Sequence, residues 1–370
     1  MKEQLVQVID KKDLQVLILT DGYNIHHLSG YRGHTGMLVA FQGEQYILTD
    51  SRYTEQVELE APEFTCVDIG REGYSKTIAG MLQKAFAKEG RSTLRIGFEN
   101  KEISYMQYQA LVDTFAKELT GMQVEFVPLE DAVNVYREVK TEDEIAKLAR
   151  AEQIGDEAFT EIVKFIHENW KDGLTEQRVA LQLEYEMRLR GAEGTSFDTI
   201  AASGSNSSLP HAMPQPKLLT EGDFLTMDFG CMYQGYCSDM TRTIHIGEVV
   251  EPEQKKVYDT VLQAQLAALS VVKPGMVCSD VDKCARDIIA DAGYGDYFGH
   301  GLGHSVGLFI HEEPRFSMKC DAVLKPGVVI TVEPGIYLPG RFGVRIEDMI
   351  VVTEDGYQNL ASSPKELICV

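Results

Sequence analysis

The sequence has few cysteines and no CxxC pair. Seven are scattered along the chain, at Cys66, Cys231, Cys237, Cys278, Cys284, Cys320 and Cys369. A disulfide framework and a thiolate zinc site both need cysteines at characteristic spacings, so we expect neither. This cysteine usage is typical of a reducing compartment, and we predict a cytoplasmic location.

Basic residues and long apolar runs are also scarce. The chain of 370 residues has 35 Lys and Arg against 57 Asp and Glu, a formal net charge of -22. Nucleic acid is not an expected partner, because phosphate backbones bind Lys and Arg. No apolar run reaches the ~20 residues of a membrane span, and the N-terminal residues lack the apolar core of a signal peptide. We therefore expect no membrane partner.

The chain is too long for one average core, so two domains are expected. In residues 1–134, short apolar runs alternate with helical patterns, which predicts a small α/β domain without a catalytic motif. The predicted strands are 14–19, 36–41, 45–50, 64–69, 94–98 and 124–128. The predicted helices are 51–61, 74–90 and 104–119, the second of them with Gly90 as its C-cap.

The second predicted domain covers residues 135–370 and repeats itself. It opens with a helix capped by Thr141, because Glu144 three residues later completes a capping box. Two pairs of equally spaced glycines bracket predicted helices with Thr175 and Ser279 as caps: Gly173 with Gly191, and Gly275 with Gly293. The segment EGDFLTMDFG aligns with KPGVVITVEPG, and His211 matches His311. Two such halves about a pseudo-twofold axis would bring matched acids together.

Four carboxylates stand in two pairs, with a Gly-rich loop between the pairs. The acids are Asp228 in TMDFG, Asp239 in CSDMTRT, Glu333 in TVEPG and Glu347 in VRIED. The loop GHGLGHSVGLFIH carries His300, His304 and His311. Four inward-facing carboxylates cannot stay ionised without nearby positive charge, which two divalent cations would supply. We expect a bent hairpin to face Asp228 and Asp239 across adjacent strands. The pattern indicates a two-metal enzyme.

Each of these residues also has an ordinary structural interpretation. Asp228 would open a turn, Asp239 would be an exposed loop acid, and Glu347, with Arg345 and Asp348 as neighbours, would belong to a surface ion pair. HGLGH is not HExxH. Its glycines disfavour a helix, so the i,i+4 spacing does not place both imidazoles on one helical face. We expect a Gly-rich loop and then a strand over 305–311, with the histidines in different parts of a pocket. Oxygen-rich ligands with one or two imidazoles favour Mn, Co, Fe or Zn over Ca.

These motifs, in this order, resemble the pita-bread metallopeptidases of family M24. The resemblance is to the proline-directed branch that holds Xaa-Pro aminopeptidase (aminopeptidase P) and Xaa-Pro dipeptidase (prolidase). It covers the whole chain, since that branch also carries a preceding α/β domain. The segment NIHHLSGY (24–31) resembles a segment of that domain. It implies a creatinase/ribonuclease-H-like α/β domain followed by an α+β pita-bread catalytic domain with an internal pseudo-twofold repeat. A homodimer is implied as well.

The resemblance also implies a role for each site residue. The metal ligands would be Asp228, Asp239, His304, Glu333 and Glu347, with Asp239 and Glu347 as bridges, His304 and Glu333 on one ion, and Asp228 on the other. The catalytic residues would be Glu333 as proton shuttle, with His211 and His311 contacting the substrate carbonyl and the tetrahedral intermediate. The substrate-binding residues would be His300, Arg315 and Arg345. Arg345 would orient Glu347 or a substrate carboxylate. Mn or Co is the expected metal, with Zn or Fe as alternatives.

The implied activity is hydrolysis of the N-terminal Xaa-Pro peptide bond by a hydroxide between two metals. The intact ligand set tells against creatinase, which shares the fold without the metals. Methionine aminopeptidase resembles only the second half. Two alternatives stay open: a non-catalytic peptide- or protein-binding module on this fold, and a related aminopeptidase without proline preference. The choice between aminopeptidase P and prolidase also stays open.

Overall fold

The computed structural model describes residues 2–86, 91–248 and 250–370. They form two compact units, Met1–Arg137 and Glu138–Val370. The predicted C-cap Gly90 lies outside the described residues. No helix within the described ranges is long and apolar enough to cross a membrane.

The first unit is built around one six-stranded sheet of order β4-β3-β2-β1-β5-β6. Its strands are β1 (Val16–Leu19), β2 (Met37–Phe41), β3 (Glu44–Thr49), β4 (Thr65–Asp68), β5 (Thr93–Phe98) and β6 (Gln123–Pro128). Its helices are α1 (Lys2–Lys12), α2 (Gly22–Ser29), α3 (Thr54–Glu60), α4 (Gly73–Phe86) and α5 (Tyr105–Glu118). β1 runs parallel to β5 and antiparallel to β2. The predicted α/β architecture and all six predicted strands are confirmed.

Alternating residues of β1 point to two separate cores. Leu17 and Leu19 pack with apolar residues of α1, α2 and α3, whereas Val16 and Ile18 pack with α4 and α5. Successive side chains of a strand face opposite sides of the sheet, so helices cover both faces. The sequence pattern did not predict α1 and α2. Both are short and largely polar, and α2 relies on the Asp21 side chain as its N-cap.

The second unit combines two helix pairs with antiparallel sheets. Its helices are α6 (Glu142–Asn169), α7 (Glu176–Leu189), α8 (Pro252–Val271) and α9 (Cys278–Asp291). The strands of its first half are β7 (Gly194–Thr195), β8 (Ile200–Ser203), β9 (Phe224–Phe229), β10 (Cys231–Tyr233), β11 (Tyr236–Cys237) and β12 (Met240–His245). Those of its second half are β13 (Gly303–Ser305), β14 (Glu312–Phe316), β15 (Val329–Val332), β16 (Gly335–Leu338), β17 (Phe342–Arg345), β18 (Asp348–Val352) and β19 (Tyr357–Asn359). One core joins α6 and α7 to β9 and β12, and another joins α8 and α9 to β15 and β18.

Matched glycines of the two halves adopt the same left-handed backbone. Gly173 and Gly275 both have φ 86°, and Gly191 and Gly293 have φ 100° and 91°. Such angles favour glycine because other L-residues meet a steric penalty there. The repeated glycines therefore mark equivalent turns before and after α7 and α9.

Two of the three predicted helix N-caps are confirmed. Thr141 and Glu144 form a capping box at the start of α6, and Thr175 caps α7. The third prediction is wrong, because α9 begins at Cys278 and Ser279 lies inside its first turn. Backbone carbonyls of residues 320 and 322 accept the first N–H groups of α9, so no side-chain cap is needed.

Candidate metal centre

The first pair of acids lies on neighbouring strands of one antiparallel sheet. Asp228 belongs to β9 and pairs with Thr241 of β12. Asp239 directly precedes β12 and is 5% exposed. The chain between them forms β10 and β11. The predicted bent hairpin is confirmed, and the interpretation of these residues as a turn acid and an exposed loop acid is wrong.

The second pair of acids is arranged in the same way. β15 pairs with β18 so that Val332 lies opposite Asp348, which leaves Glu333 and Glu347 at the same end of the strand pair. Glu347 is 1% exposed, so the surface ion pair is wrong. Its Oε2 accepts a hydrogen bond of 2.7 Å from Thr241 Oγ1. Thr241 therefore links the two halves of the repeat beside their acids.

His304 lies between the two acid pairs. Its Nε2 is 3.4 Å from Asp239 Oδ2 and 3.6 Å from Glu333 Oε1. One ligand atom each from Asp239, His304 and Glu347 lies within 4.8 Å of the other two. Three such atoms at this separation match the donor set of a transition-metal ion bound by imidazole and carboxylates.

The expected strand over 305–311 is wrong. The strand β13 ends at Ser305, and the chain then turns before β14. A Cβ at Gly303 would lie 2.0 Å from Thr331 O, so only glycine allows β13 to approach β15 this closely. The turn brings the rings of His304 and His311 to 4.5 Å between centroids, at 71°. The two histidines are neighbours and do not occupy separate parts of the pocket.

Burial and mutual repulsion strongly perturb the ionisation of this cluster. Burial, followed by Glu347 and Asp228, raises the pKa of Asp239, and burial raises the pKa of Glu333 to about 8. The pKa of Glu347 also lies well above its usual range because of burial and the Glu333 charge. Each shift means that the carboxylates need a positive charge to ionise together.

Two further observations fit bound divalent cations. Burial, followed by His311, lowers the pKa of His304 to about 3, so its imidazole is neutral and keeps a lone pair for a metal. Asp228 Oδ1 is buried and, within the part of the chain that the structure describes, has no hydrogen-bond partner. Buried polar atoms are rarely left unpaired. The residues present therefore fit a pair of divalent metal ions.

Arg345 is buried beside the acids and forms an ion pair with Asp228. Its Nη2 is 2.6 Å from Asp228 Oδ2, and its Nε donates to Thr241 Oγ1 at 3.0 Å. Arg345 reaches Glu347 through Thr241, whose Oγ1 donates to Glu347 Oε2, and its orientation of Glu347 or of a substrate carboxylate stays a prediction. Its Nη1 donates to Tyr337 Oη at 2.7 Å.

All ten predicted site residues line one cavity of about 630 Å³. They are Asp228, Asp239, His304, Glu333, Glu347, His211, His300, His311, Arg315 and Arg345. His300 Nε2 lies 2.9 Å from Tyr337 Oη, and burial lowers the pKa of His300 to about 4. Apolar residues, among them Phe197, Ile200 and Met213, complete the wall. The lining of the cavity thus includes both charged and apolar side chains.

Several supporting residues were not found by sequence reasoning. Arg242 is 1% exposed, and its guanidinium donates to the backbone carbonyls of Thr241 and Glu347. Glu152 of α6 accepts a hydrogen bond of 3.3 Å from Asp239 N. The segment TRT shortly after Asp239 was a usable signal for Thr241 and Arg242. Nothing near Glu152 in the sequence pointed to the site.

The two cysteines near the first acid pair are not needed as ligands. Burial raises the pKa of Cys231 to about 12 and also raises that of Cys237, which keeps both as neutral thiols. Their sulfur atoms face backbone carbonyls of residues 151 and 308. We expect the double substitution Cys231→Ala, Cys237→Ala to keep metal content and most activity. Metal analysis of the purified variant checks this, and loss of an ion would refute the ligand assignment.

Comparisons with known proteins agree with this geometry. A family model described as metallopeptidase family M24 matches residues 146–354, and one described as creatinase/prolidase N-terminal domain matches residues 2–139. An Xaa-Pro dipeptidase of Pyrococcus furiosus is 37% identical over 367 residues, which cover 99% of each chain.

Solved structures resemble the whole chain. An Xaa-Pro dipeptidase from Bacillus anthracis has a TM-score of 0.89 and 38% identity, covering 100% of this chain and 99% of its own. An X-Pro aminopeptidase from Thermotoga maritima has a TM-score of 0.86 and 34% identity, covering 98% and 100%. The chain therefore belongs to metallopeptidase family M24, with a creatinase/prolidase N-terminal domain followed by a pita-bread metallopeptidase domain.

Proposed function

We propose that the protein is a dinuclear-metal exopeptidase that hydrolyses the N-terminal Xaa-Pro bond of peptides. The observation that supports this most is the convergence of four carboxylates and one neutral imidazole in a single cavity. In this proposal Asp228, Asp239, His304, Glu333 and Glu347 would hold the two ions, with Asp239 and Glu347 shared by both. The relatives named above act on Xaa-Pro peptides according to their names, and this supports the same substrate class here.

In this proposal each site residue has a distinct role in hydrolysis. Two bound divalent ions supply Lewis acidity, which lowers the pKa of water and polarises a carbonyl. Glu333 accepts the proton of the attacking water and passes it to the leaving nitrogen. His211 and His311 donate hydrogen bonds to the substrate carbonyl and to the oxygen that becomes negative in the tetrahedral intermediate. Arg345 holds Asp228 in place through their 2.6 Å contact.

Proline at the second position gives the substrate its distinguishing feature. Its nitrogen has no N–H and its ring fixes φ, so a pocket that recognises it needs shape more than hydrogen bonds. The apolar wall of Phe197, Ile200 and Met213 supports such a pocket. We propose a proline-directed enzyme, in preference to an aminopeptidase without proline preference.

Arg315 bears on whether dipeptides or longer peptides are cleaved. Its side chain is 47% exposed and pairs with Glu313, which is itself 66% exposed, and it lines the cavity. A guanidinium at the cavity wall suits the free carboxylate of a dipeptide, since Arg binds carboxylates bidentately. We therefore propose prolidase-type activity, with the carboxylate of the substrate proline on Arg315.

Hydrolysis of an Xaa-Pro dipeptide and an Xaa-Pro-Xaa tripeptide in added Mn²⁺ tests this proposal. We expect the dipeptide to be the better substrate, and Arg315→Ala to raise KM for the dipeptide by roughly tenfold, as for a lost charged hydrogen bond. The exposed Arg341→Ala, whose arginine pairs with Glu253, is the control. Equal loss on both substrates would contradict a carboxylate contact.

Metal identity, location and assembly complete the proposal. We propose Mn²⁺ or Co²⁺ as the physiological ions, a cytoplasmic location, a homodimer, and a catalytic domain over residues 135–370. A metal-free binding module is the alternative in a different class. The ligand set argues against it, because a binding module has no need of four acids in one cavity. Metal analysis of the purified protein distinguishes the two.

A further inference from the structure

A buried ion pair lies close to the site histidines without belonging to the cavity wall. Lys140 Nζ is 3.1 Å from Glu312 Oε2, and each side chain is 3% exposed. Neither residue is among those that line the cavity. Taking an ammonium and a carboxylate out of water is costly, and replacing such a pair by apolar residues is often neutral for stability. Neither stability nor substrate contact therefore accounts for the pair by itself.

The carboxylate end of this pair supports the turn that carries His311. Glu312 directly follows His311, and its Oε1 accepts a hydrogen bond of 3.2 Å from Phe309 N. The carboxylate also fills the space beside Gly307, where a Cβ would come within 2.5 Å of Oε2. Glu312 thus folds back beneath residues 306–311 and fixes the shape of the turn.

The ammonium end of the pair is attached to the strand that carries His304. Lys140 Nζ donates to Ser305 Oγ at 3.3 Å, and Ser305 directly follows His304. Ser305 Oγ in turn donates to Val329 O at 2.6 Å. The backbone of Lys140 is held as well, because its N donates to Gly327 O at 2.9 Å. The ammonium is therefore held between β13 and the turn of residues 306–311.

We propose that Lys140 is a positioning residue that, through Ser305 and Glu312, sets His304 and His311 relative to each other. The inference rests on the proposed function, in which His304 binds metal and His311 contacts substrate. The two rings touch at 4.5 Å between centroids, so a shift of the turn moves one ring against the other. A misplacement of ~1 Å caused by a remote substitution can reduce turnover ~10²-fold.

The substitution Lys140→Met removes the ammonium and keeps a side chain of similar length. We expect kcat for an Xaa-Pro dipeptide to fall by about 10- to 100-fold, while KM changes by less than about threefold. Co²⁺-loaded protein should also show an altered visible spectrum, because Co²⁺ absorption reports the geometry of its ligands. The metal content should remain two ions per chain.

The matched control is Leu183→Ala, which removes a fully buried side chain from the core around α7. It should lower Tm and leave both kcat per folded molecule and the Co²⁺ spectrum as in the wild type. If Lys140→Met behaves in the same way, its role is structural and the proposal is wrong.

Removing the ammonium beside the buried carboxylate of Glu312 could prevent Lys140→Met from folding. The double variant Lys140→Met, Glu312→Gln removes both charges of the pair and is then measured in the same way. Wild-type kcat and spectrum in the double variant would overturn the proposal, whereas reduced kcat with an altered spectrum supports it. A wild-type protein that fails to cleave Xaa-Pro peptides would refute the proposed function, and the spectra of the variants would still decide this inference because they need no substrate.

Discussion

Replacing Asp239 by asparagine is expected to remove both metal ions and to abolish peptide hydrolysis. Asp239 lies at the centre of the site, with its Oδ2 3.4 Å from His304 Nε2 and a ligand atom within 4.8 Å of that of Glu347. An amide offers one neutral oxygen where a carboxylate offers two charged ones, so a bridge between two cations is lost. Chelation of the wild-type protein should have the same effect, and added Mn²⁺ or Co²⁺ should reverse it.

Metal stoichiometry and activity, measured on the same preparation, check this prediction. The control is Asp259→Asn, which changes an exposed acid of α8 that pairs with Lys255. It should keep two ions and full activity. An Asp239→Asn protein that still holds two ions per chain would contradict the assignment of Asp239 as a bridge. One that keeps a single ion would place Asp239 on one metal only.

The part of the site that the sequence predicted consists of residues within recognisable local motifs. Asp228 and Glu333 each stand at the end of a short apolar run and before a glycine, so their strands and their matched positions were readable. The same holds for the six strands of the N-terminal domain, whose apolar runs are bounded by turn residues. Local pattern was sufficient because each of these elements is defined by its own residues.

The residues that support the site could not be predicted, because their partners are distant in the sequence. Glu152 contacts the backbone of Asp239, and Lys140 contacts Ser305 and Glu312. Nothing local distinguishes these side chains from exposed charges on a helix or in a loop. Their function appears only when the fold buries them against a particular partner.

The turn after His304 shows a second reason for failure. Its sequence, SVGLFIH, is apolar and β-branched enough to predict a strand. Two local contacts of the Glu312 side chain favour a turn over that strand: its carboxylate occupies the space beside Gly307 and accepts the N–H of Phe309. Propensity is a weak guide where a buried charge competes for the backbone. As a result His311 lies against His304 and not at the far end of a strand.

Because His311 lies against His304, a second large effect is expected: His311→Ala should lower kcat and keep both metal ions. His311 is exposed to the cavity, and the five proposed ligands are complete without it. Burial, followed by the Arg315 charge, lowers the pKa of His311, so its ring is neutral at physiological pH and has one N–H to donate. A donor to the developing oxyanion is typically worth ~10²–10⁴-fold in rate. The loss should fall mostly on kcat, because the charge exists only after attack.

The competing interpretation is that His311 only packs against His304 and Phe309, whose rings lie 4.5 and 6.0 Å from its own. A packing role predicts a lower Tm and nearly normal kcat per folded molecule, whereas a catalytic role predicts the reverse. His311→Asn, which keeps an N–H donor in a smaller side chain, should recover part of the lost kcat only if hydrogen bonding is the function. His167→Ala, at an exposed histidine near the end of α6, is the control for removing an imidazole. Metal content, Tm and kcat of the three variants therefore decide whether His311 takes part in the reaction.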